Sequence, residues 1–274
     1  MWHDVLALNR LTKICVMIAL AFSLFTVARW LAARPAFAIR ALTVEGADGQ
    51  PLGHVTGQQV ARVCVPRLSG TFFTADLEQA RAVFESLPWV RRASVRRQWP
   101  DRLVVQLEEH RALARWNDEA GNRFVNPQGE AFNAPGEAKV GAALPLLTGP
   151  EGSEKEVVKR YGDMLALFNQ IGKTPRVVTL SPRQAWTVKL SDGLAIEVGR
   201  EQAQSSVTAR LERFVANYAA TLGRITARVE AVDLRYPNGF AARVPGMRVP
   251  AAAAQAARPA KPNKPASRPA RSGA

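Results

Sequence analysis

The sequence predicts an α+β protein: a single N-terminal transmembrane helix, a small β-α-α-β-β unit, and a mixed antiparallel β unit carrying two helices. Three observations predict it. Residues 14–28 are apolar and uncharged. Residues 37–109 pass from period-two to helical spacing and back. The remainder, to about residue 250, sets short alternating runs and turn residues around two amphipathic stretches.

The apolar run ICVMIALAFSLFTVA (Ile14–Ala28) is followed by Arg29-Trp30-Leu31-Ala32-Ala33. The uncharged part covers roughly 22 Å at 1.5 Å per residue, and extending it to Ala33 reaches the ~30 Å of a hydrocarbon core. Arg29 can then snorkel to the headgroups, with Trp30 in the aromatic belt. A cleavable signal peptide is the rival reading, since Arg10 and Lys13 precede the run and Ala36-Phe37-Ala38 offers a small-residue cleavage site. Either reading exports the rest of the chain.

In the first folded unit, Ile39–Glu45 alternates and ends at Gly46, as a strand does. Thr56 and Gln59 form a capping box for a helix burying Val60, Val63 and Cys64. Thr74 is the predicted cap of a second helix, whose apolar face is Leu77, Ala80, Phe84 and Leu87. Pro88 ends it. A hairpin follows. Trp89, Ala93, Val95 and Trp99 fall on one face, Arg92, Ser94, Arg96 and Gln98 on the other, and Trp99-Pro100-Asp101-Arg102 makes the turn. The return strand buries Leu103, Val105 and Leu107, placing Gln106 and Glu108 opposite Arg92 and Arg96.

In the second unit, turn signals at Asn117-Asp118, Gly121-Asn122 and Asn126–Gly129 predict short antiparallel strands. Ser153 with Glu156 reads as another capping box. Val157, Tyr161, Leu165, Phe168 and Ile171 line the helix that follows, and Gly172 ends it. Val177–Leu180 and Trp186–Val198 alternate, the latter broken at Ser191-Asp192-Gly193. Glu201–Leu222 reads as a helix with a Val207, Leu211, Phe214, Tyr218, Leu222 stripe. Arg228–Tyr236, a Pro237-Asn238-Gly239 turn and Phe240–Val244 form a closing hairpin. From Ala251 onward the chain is mostly Ala, Pro, Lys and Arg with no large apolar residue, a disordered composition.

The formal charge is +14 over 274 residues. Four basic residues and one acid lie in the first 36 residues, and five basic residues with no acid in the last 26. That leaves 28 basic and 22 acidic residues between, a mild excess that argues against nucleic acid as partner of the folded part. The arginine-rich hairpin agrees, because its tryptophans share the apolar face instead of interleaving with the basic one. His3, His54 and His110 are scattered, Cys15 and Cys64 cannot form a framework, and no phosphate loop, dinucleotide fingerprint or nucleophile elbow is present. Glu108-Glu109 reads as a solvated strand end. No enzyme activity, cofactor, metal or small-molecule substrate is therefore expected. Binding is the remaining route to function. The closing return strand, Phe240–Val244, is small and largely uncharged, and as an edge it can accept a partner's strand.

The order of elements, with Gly70-Thr71-Phe72-Phe73-Thr74, Leu87-Pro88-Trp89-Val90, Val95-Arg96-Arg97-Gln98-Trp99-Pro100-Asp101, Ala114-Arg115-Trp116-Asn117 and Val232-Asp233-Leu234-Arg235-Tyr236, resembles the FtsQ/DivIB cell-division family. The likeness runs over about residues 14–245 and is nearest the proteobacterial branch. It implies a short cytoplasmic tail (1–13), a retained transmembrane helix (14–33), a POTRA domain (37–109), a β domain (110–250) and a basic tail (251–274). It also implies a non-enzymatic inner-membrane protein at the division septum that joins FtsB and FtsL and links early to late division proteins. The family's partner-binding positions map onto Arg235, Tyr236, Asn238, Gly239, Phe240, Ala241, Ala242 and Arg243, with Arg235 as a charge partner and Tyr236 as a packing contact. The chain departs from the family just past this strand, having Val244-Pro245 where related sequences carry a tryptophan. Two other classes compete: an exported POTRA-type translocation or chaperone protein, and an exported binder of anionic polymers.

Overall fold

A computed structural model describes residues 5–118, 122–135, 138–225, 228–236 and 239–245. The apolar run lies within one helix, α1 (Val5–Ala32). Its apolar part, Asn9–Ala32, is 24 residues long. That is roughly 36 Å, enough to cross a bilayer's hydrocarbon. Large apolar side chains from Leu11 to Leu31 are exposed along it, so no protein core covers them.

The first unit has the expected β-α-α-β-β order. Strand β1 (Ala41–Gly46) is followed by the Thr56–Gln59 capping box, with both reciprocal hydrogen bonds formed. The helix it opens is short: α2 (Gly57–Gln59) passes into a wider turn at Val60–Cys64 that buries Val60 and Cys64. Helix α3 (Leu77–Glu85) starts later than Thr74 predicts. Its cap is Asp76, whose carboxylate accepts the N–H groups of Glu78 at 2.9 Å and Gln79 at 3.1 Å. A carboxylate serves two N–H groups better than a hydroxyl, and the Thr74 hydroxyl is already occupied by the N–H of Thr71 at 2.9 Å.

Strands β2 (Val90–Gln98) and β3 (Arg102–Glu109) form the hairpin, and β3 is central, antiparallel to β2 and parallel to β1. Arg92 stands opposite Glu108 and Ser94 opposite Gln106, but Arg96 faces Val104. A register irregularity between Val90 and Arg92 lets Arg91, not Arg92, reach Glu108, at 2.6 Å. Trp89 is buried, whereas Trp99, beyond the last paired residue, is 69 % exposed and lies outside the core.

The second unit is one nine-stranded mixed sheet. Its strands are β4 (Ala114–Trp116), β5 (Arg123–Val125), β6 (Ala131–Asn133), β7 (Leu146–Thr148), β8 (Pro175–Leu180), β9 (Ala185–Leu190), β10 (Ala195–Arg200), β11 (Ala231–Asp233) and β12 (Ala241–Arg243). Their spatial order is β12-β11-β10-β9-β8-β7-β4-β5-β6. Neighbours β4–β7, β7–β8 and β10–β11 are parallel. Among the described residues three α-helices accompany the sheet, one more than expected: the short α4 (Ala138–Ala143), α5 (Glu154–Asn169) and α6 (Val207–Tyr218).

Helix α5 packs Val157, Tyr161, Met164 and Phe168 inward. Gly172 follows it at φ +67°, and the Lys173 N–H returns to the Phe168 carbonyl at 3.0 Å, closing the helix end. Ser153 makes no capping bond, because its hydroxyl donates to the Pro150 carbonyl at 2.6 Å. Helix α6 begins at Val207, six residues after Glu201. Ser206 caps it, and the Glu201 carboxylate accepts the Val207 N–H from outside the helix at 3.1 Å. Arg210 is buried and donates to the carbonyls of Ser205, at 2.8 Å, and Arg200, tying α6 to the end of β10.

The two units share a core. Trp89, Val90, Ala93 and Leu107 of the first cluster with Phe124, Phe132 and Ala134 of the second. Trp89 stacks on His54 with ring centroids 3.7 Å apart and meets Phe132 edge-on at 5.3 Å; His110 stacks on Phe132 at 4.1 Å. Burial pushes the His110 imidazole below the usual histidine range. Beside this cluster Arg91 bridges Glu108 and Glu130, the latter at 2.7 Å. The Arg91 and Asn126 hydrogen bonds hold the Glu130 carboxyl down at about 2. Glu109 accepts the N–H groups of Gly53, His54 and Val55 at 2.9, 3.0 and 2.7 Å, fastening the loop before α2 to the end of β3.

Candidate partner-binding site

The nine-stranded sheet has two ends. At one, β6 places Phe132 against Trp89 of the first unit. At the other is β12, which among the described residues pairs only with β11: Ala231↔Arg243, Val232↔Ala242 and Asp233↔Ala241. Ala241, Ala242 and Arg243 are all exposed. Their outer edge has no strand beside it among the described residues. An open cavity of about 460 Å³ runs along this end, lined by Glu197, Asp233, Arg235 and the three β12 residues among others.

The expected strand Arg228–Tyr236 is shortened to β11, Ala231–Asp233. Its end has a local cause. The Asp233 carboxylate accepts the Arg235 N–H at 3.0 Å, forming an Asx turn that diverts the chain. The same carboxylate holds the Arg235 guanidinium in a two-pronged bond, at 2.9 and 2.6 Å. Glu197, opposite Asp233 across the parallel β10–β11 pair, also takes the guanidinium, at 3.0 Å, through the Nη2 nitrogen that Asp233 shares. The guanidinium hydrogen bond holds the Asp233 carboxyl below the usual carboxylate range, and that same bond raises the Arg235 pKa. The aliphatic stem of Arg235 lies over Gly199. A Cβ on that glycine would stand 2.9 Å from Arg235 Cγ, and its φ of +83° suits glycine as well.

The structure brings together Arg235, Ala241, Ala242 and Arg243 on one side of the sheet end. Tyr236 is 55 % exposed next to them. Phe240 is half-buried and turned onto Phe214 of α6, ring centroids 5.6 Å apart, so it anchors the hairpin to the core. Gly239 sits before it with open space around its Cα. Asn238, with the rest of the predicted Pro237-Asn238 turn, lies outside the described residues. Sequence reasoning names neither Glu197 nor Gly199, and gives Asp233 only as part of the Val232–Tyr236 resemblance, not as a site residue. Their part depends on β10 lying parallel to β11, and the only local signal was the Asp-x-Arg spacing of Asp233 and Arg235.

What this arrangement offers chemically is a short strand edge bordered by a salt-bridged cation, its two carboxylates and an exposed phenol. Among the described residues no group of three or more His, Cys, Asp or Glu is placed to hold a metal ion.

Comparison with known proteins agrees with this architecture. The family model "Cell division protein FtsQ/DivIB, C-terminal" matches residues 114–235, and the model "POTRA domain, FtsQ-type" matches residues 37–110. A protein of Burkholderia pseudomallei named "Cell division protein FtsQ" is 44 % identical over 248 residues, covering 90 % of this chain and 96 % of the relative. Proteins of the same name from Bordetella pertussis and Nitrosospira multiformis are each 38 % identical. They cover 88 % and 89 % of this chain, and 92 % and 99 % of their own lengths. With an FtsQ-type POTRA domain, the C-terminal family domain and relatives matched over nearly their whole lengths, the chain belongs to the FtsQ/DivIB family of cell-division proteins.

Proposed function

We propose that this cell-division protein is a non-catalytic assembly factor of the inner membrane. Its N-terminal tail (1–13) is cytoplasmic, residues 14–33 form its transmembrane segment, and its POTRA (37–109) and β (110–250) domains are periplasmic at the septum. Its β domain captures FtsB, in complex with FtsL, by strand addition at β12, and so links early and late division proteins. The observation that carries this reading is the open end of the sheet: three exposed residues with small or flexible side chains, uncovered on one side, next to exposed Tyr236. Backbone hydrogen bonds along such an edge supply affinity, while flanking side chains supply selectivity. Arg235 contributes as a fixed charge, because Asp233 and Glu197 already hold its guanidinium in place.

The test is capture of FtsB by the detergent-solubilised full chain. Tyr236→Ala and Ala242→Glu both alter exposed positions and leave the core intact. Each is expected to weaken capture at least about tenfold, the loss of a central interface contact. Unchanged capture by both variants, with wild-type melting temperatures, refutes the assignment. Phe240 is unsuitable for this test, since its replacement strips a contact from Phe214.

A further inference from the structure

We infer that the aromatic tip of the POTRA domain, Phe73 and Trp99, docks into the headgroup layer of the bilayer that α1 crosses. The inference rests on α1 being a bilayer span and goes beyond the strand-addition reading.

Two exposed aromatic rings in a domain built around a buried core need a reason. Trp99 is 69 % and Phe73 48 % exposed, although Phe84 and Trp89 in the same unit are buried. The two belong to one row of rings. Phe37 meets Phe73 at 5.0 Å, Phe73 meets Phe72 at 5.2 Å, and Phe72 meets Trp99 at 5.8 Å, all edge-on. The row begins where α1 ends. The Thr71 hydroxyl donates to the Ala32 carbonyl, in the last residue of α1, at 2.7 Å. Ala38 bridges Thr71, and the Phe72 N–H donates to the Phe37 carbonyl at 2.8 Å. The turn carrying Phe73 is thus hydrogen-bonded to the helix terminus itself, and Trp99 is one ring beyond Phe72.

These distances fit the membrane's dimensions. The headgroup region adds roughly 5–8 Å to each side of the hydrocarbon. The row spans at most about 16 Å from Phe37 to Trp99, about twice the thickness of that layer, so the docking places it along the membrane plane and not along the helix axis. Trp30 and Arg34, stacked with the guanidinium 3.6 Å from the ring centroid, mark the interface on the helix side. Tryptophan favours that layer, where its apolar rings and its N–H are both satisfied. Charge points the same way: Arg40, Arg96 and Arg102 are exposed around the hairpin tip, with Asp101 as the acid of the turn, and the Arg40 N–H donates to the Asp101 carbonyl at 2.9 Å. A cationic rim around protruding aromatics matches an anionic lipid surface.

The experiment uses the full chain in phosphatidylglycerol/phosphatidylethanolamine nanodiscs, with or without lipid dibrominated near the headgroup end of its acyl chains. Subtracting the emission of a Trp99→Phe variant from wild type isolates Trp99 from the other tryptophans. The expected result is about a twofold loss of the Trp99 component in brominated discs, together with shielding from aqueous acrylamide, as for an interfacial tryptophan. A Trp99 component quenched by acrylamide and untouched by brominated lipid overturns the docking while leaving the span intact. Failure of the chain to incorporate into discs overturns the span and the docking together. Neither result bears on FtsB capture, so the two readings fail separately.

Discussion

Replacing Phe132 by alanine tests whether the POTRA and β domains melt as one body. Phe132 lies in the β domain, its ring packed by His110 at the domain junction, stacked at 4.1 Å, by Phe124 of β5 at 5.7 Å, and by Trp89 of the POTRA domain, edge-on at 5.3 Å. Deleting a buried phenyl costs about 3–5 kcal/mol. Phe132 retains 8 % exposure and sits on the outermost strand β6, where neighbours can partly relax into the space, so the low end applies. The expected loss is therefore about 3 kcal/mol, and for a fold of this size about 6–12 °C in Tm. The assay is urea unfolding of the full chain followed by tryptophan emission, with hydrogen exchange read on peptides spanning Trp89–Ser94. A shared core predicts one transition moved to lower urea and faster exchange in that POTRA strand. If exchange rises only in β4 to β6 and the POTRA strand keeps its protection, the two domains are energetically separate and the reasoning fails.

The Arg91–Glu130 pair makes stability acid-sensitive. Glu130 titrates at about 2 in the folded chain, below its ordinary value, so its contribution is complete above about pH 4.5 and fades as pH falls toward 2. The urea midpoint of wild type should drop over that range more steeply than that of Glu130→Gln. Gly199→Val forces a β-branched residue to φ +83° and pushes against Arg235, so a loss of roughly 1–3 kcal/mol is expected in denaturant midpoint, with weaker FtsB capture as its companion. Asp76→Ala removes the cap of α3 and should cost about 1 kcal/mol, whereas Thr74→Ala should leave α3's amide exchange nearly unchanged.

Much of the fold was legible because its signals are local. The Thr56–Gln59 capping box, the Val90–Glu109 hairpin, Gly172 as helix terminator and the α5 and α6 stripes all depend on spacings of a few residues. The errors also have local causes. Thr74 and Ser153 look like caps in sequence, but each hydroxyl is engaged in its own turn. The parallel pairs β1–β3, β4–β7, β7–β8 and β10–β11 join strands distant in sequence, and no periodicity encodes them. The same limit applies to the candidate site. That the closing return strand is small in its side chains and largely uncharged could be read directly; that it shortens from Phe240–Val244 to Ala241–Arg243 could not. That Phe240 turns inward and that Glu197 meets Arg235 follows only from how α6 and β10 lie against the closing hairpin.

The brevity of β12 has a consequence for solubility as well as for binding. Three residues at roughly 3.4 Å each give an edge of about 10 Å. Two copies of the chain meeting edge to edge there would form too few ladder bonds to offset the entropy of association, so the open edge does not seed sheet growth between like molecules. A longer foreign strand draws backbone affinity from the same three residues, but only a few ladder bonds of it. On the strand-addition reading proposed above, such a strand also contacts Tyr236 and Arg235 beyond the ladder, and the shortness of β12 then acts as a filter on which chains can stay.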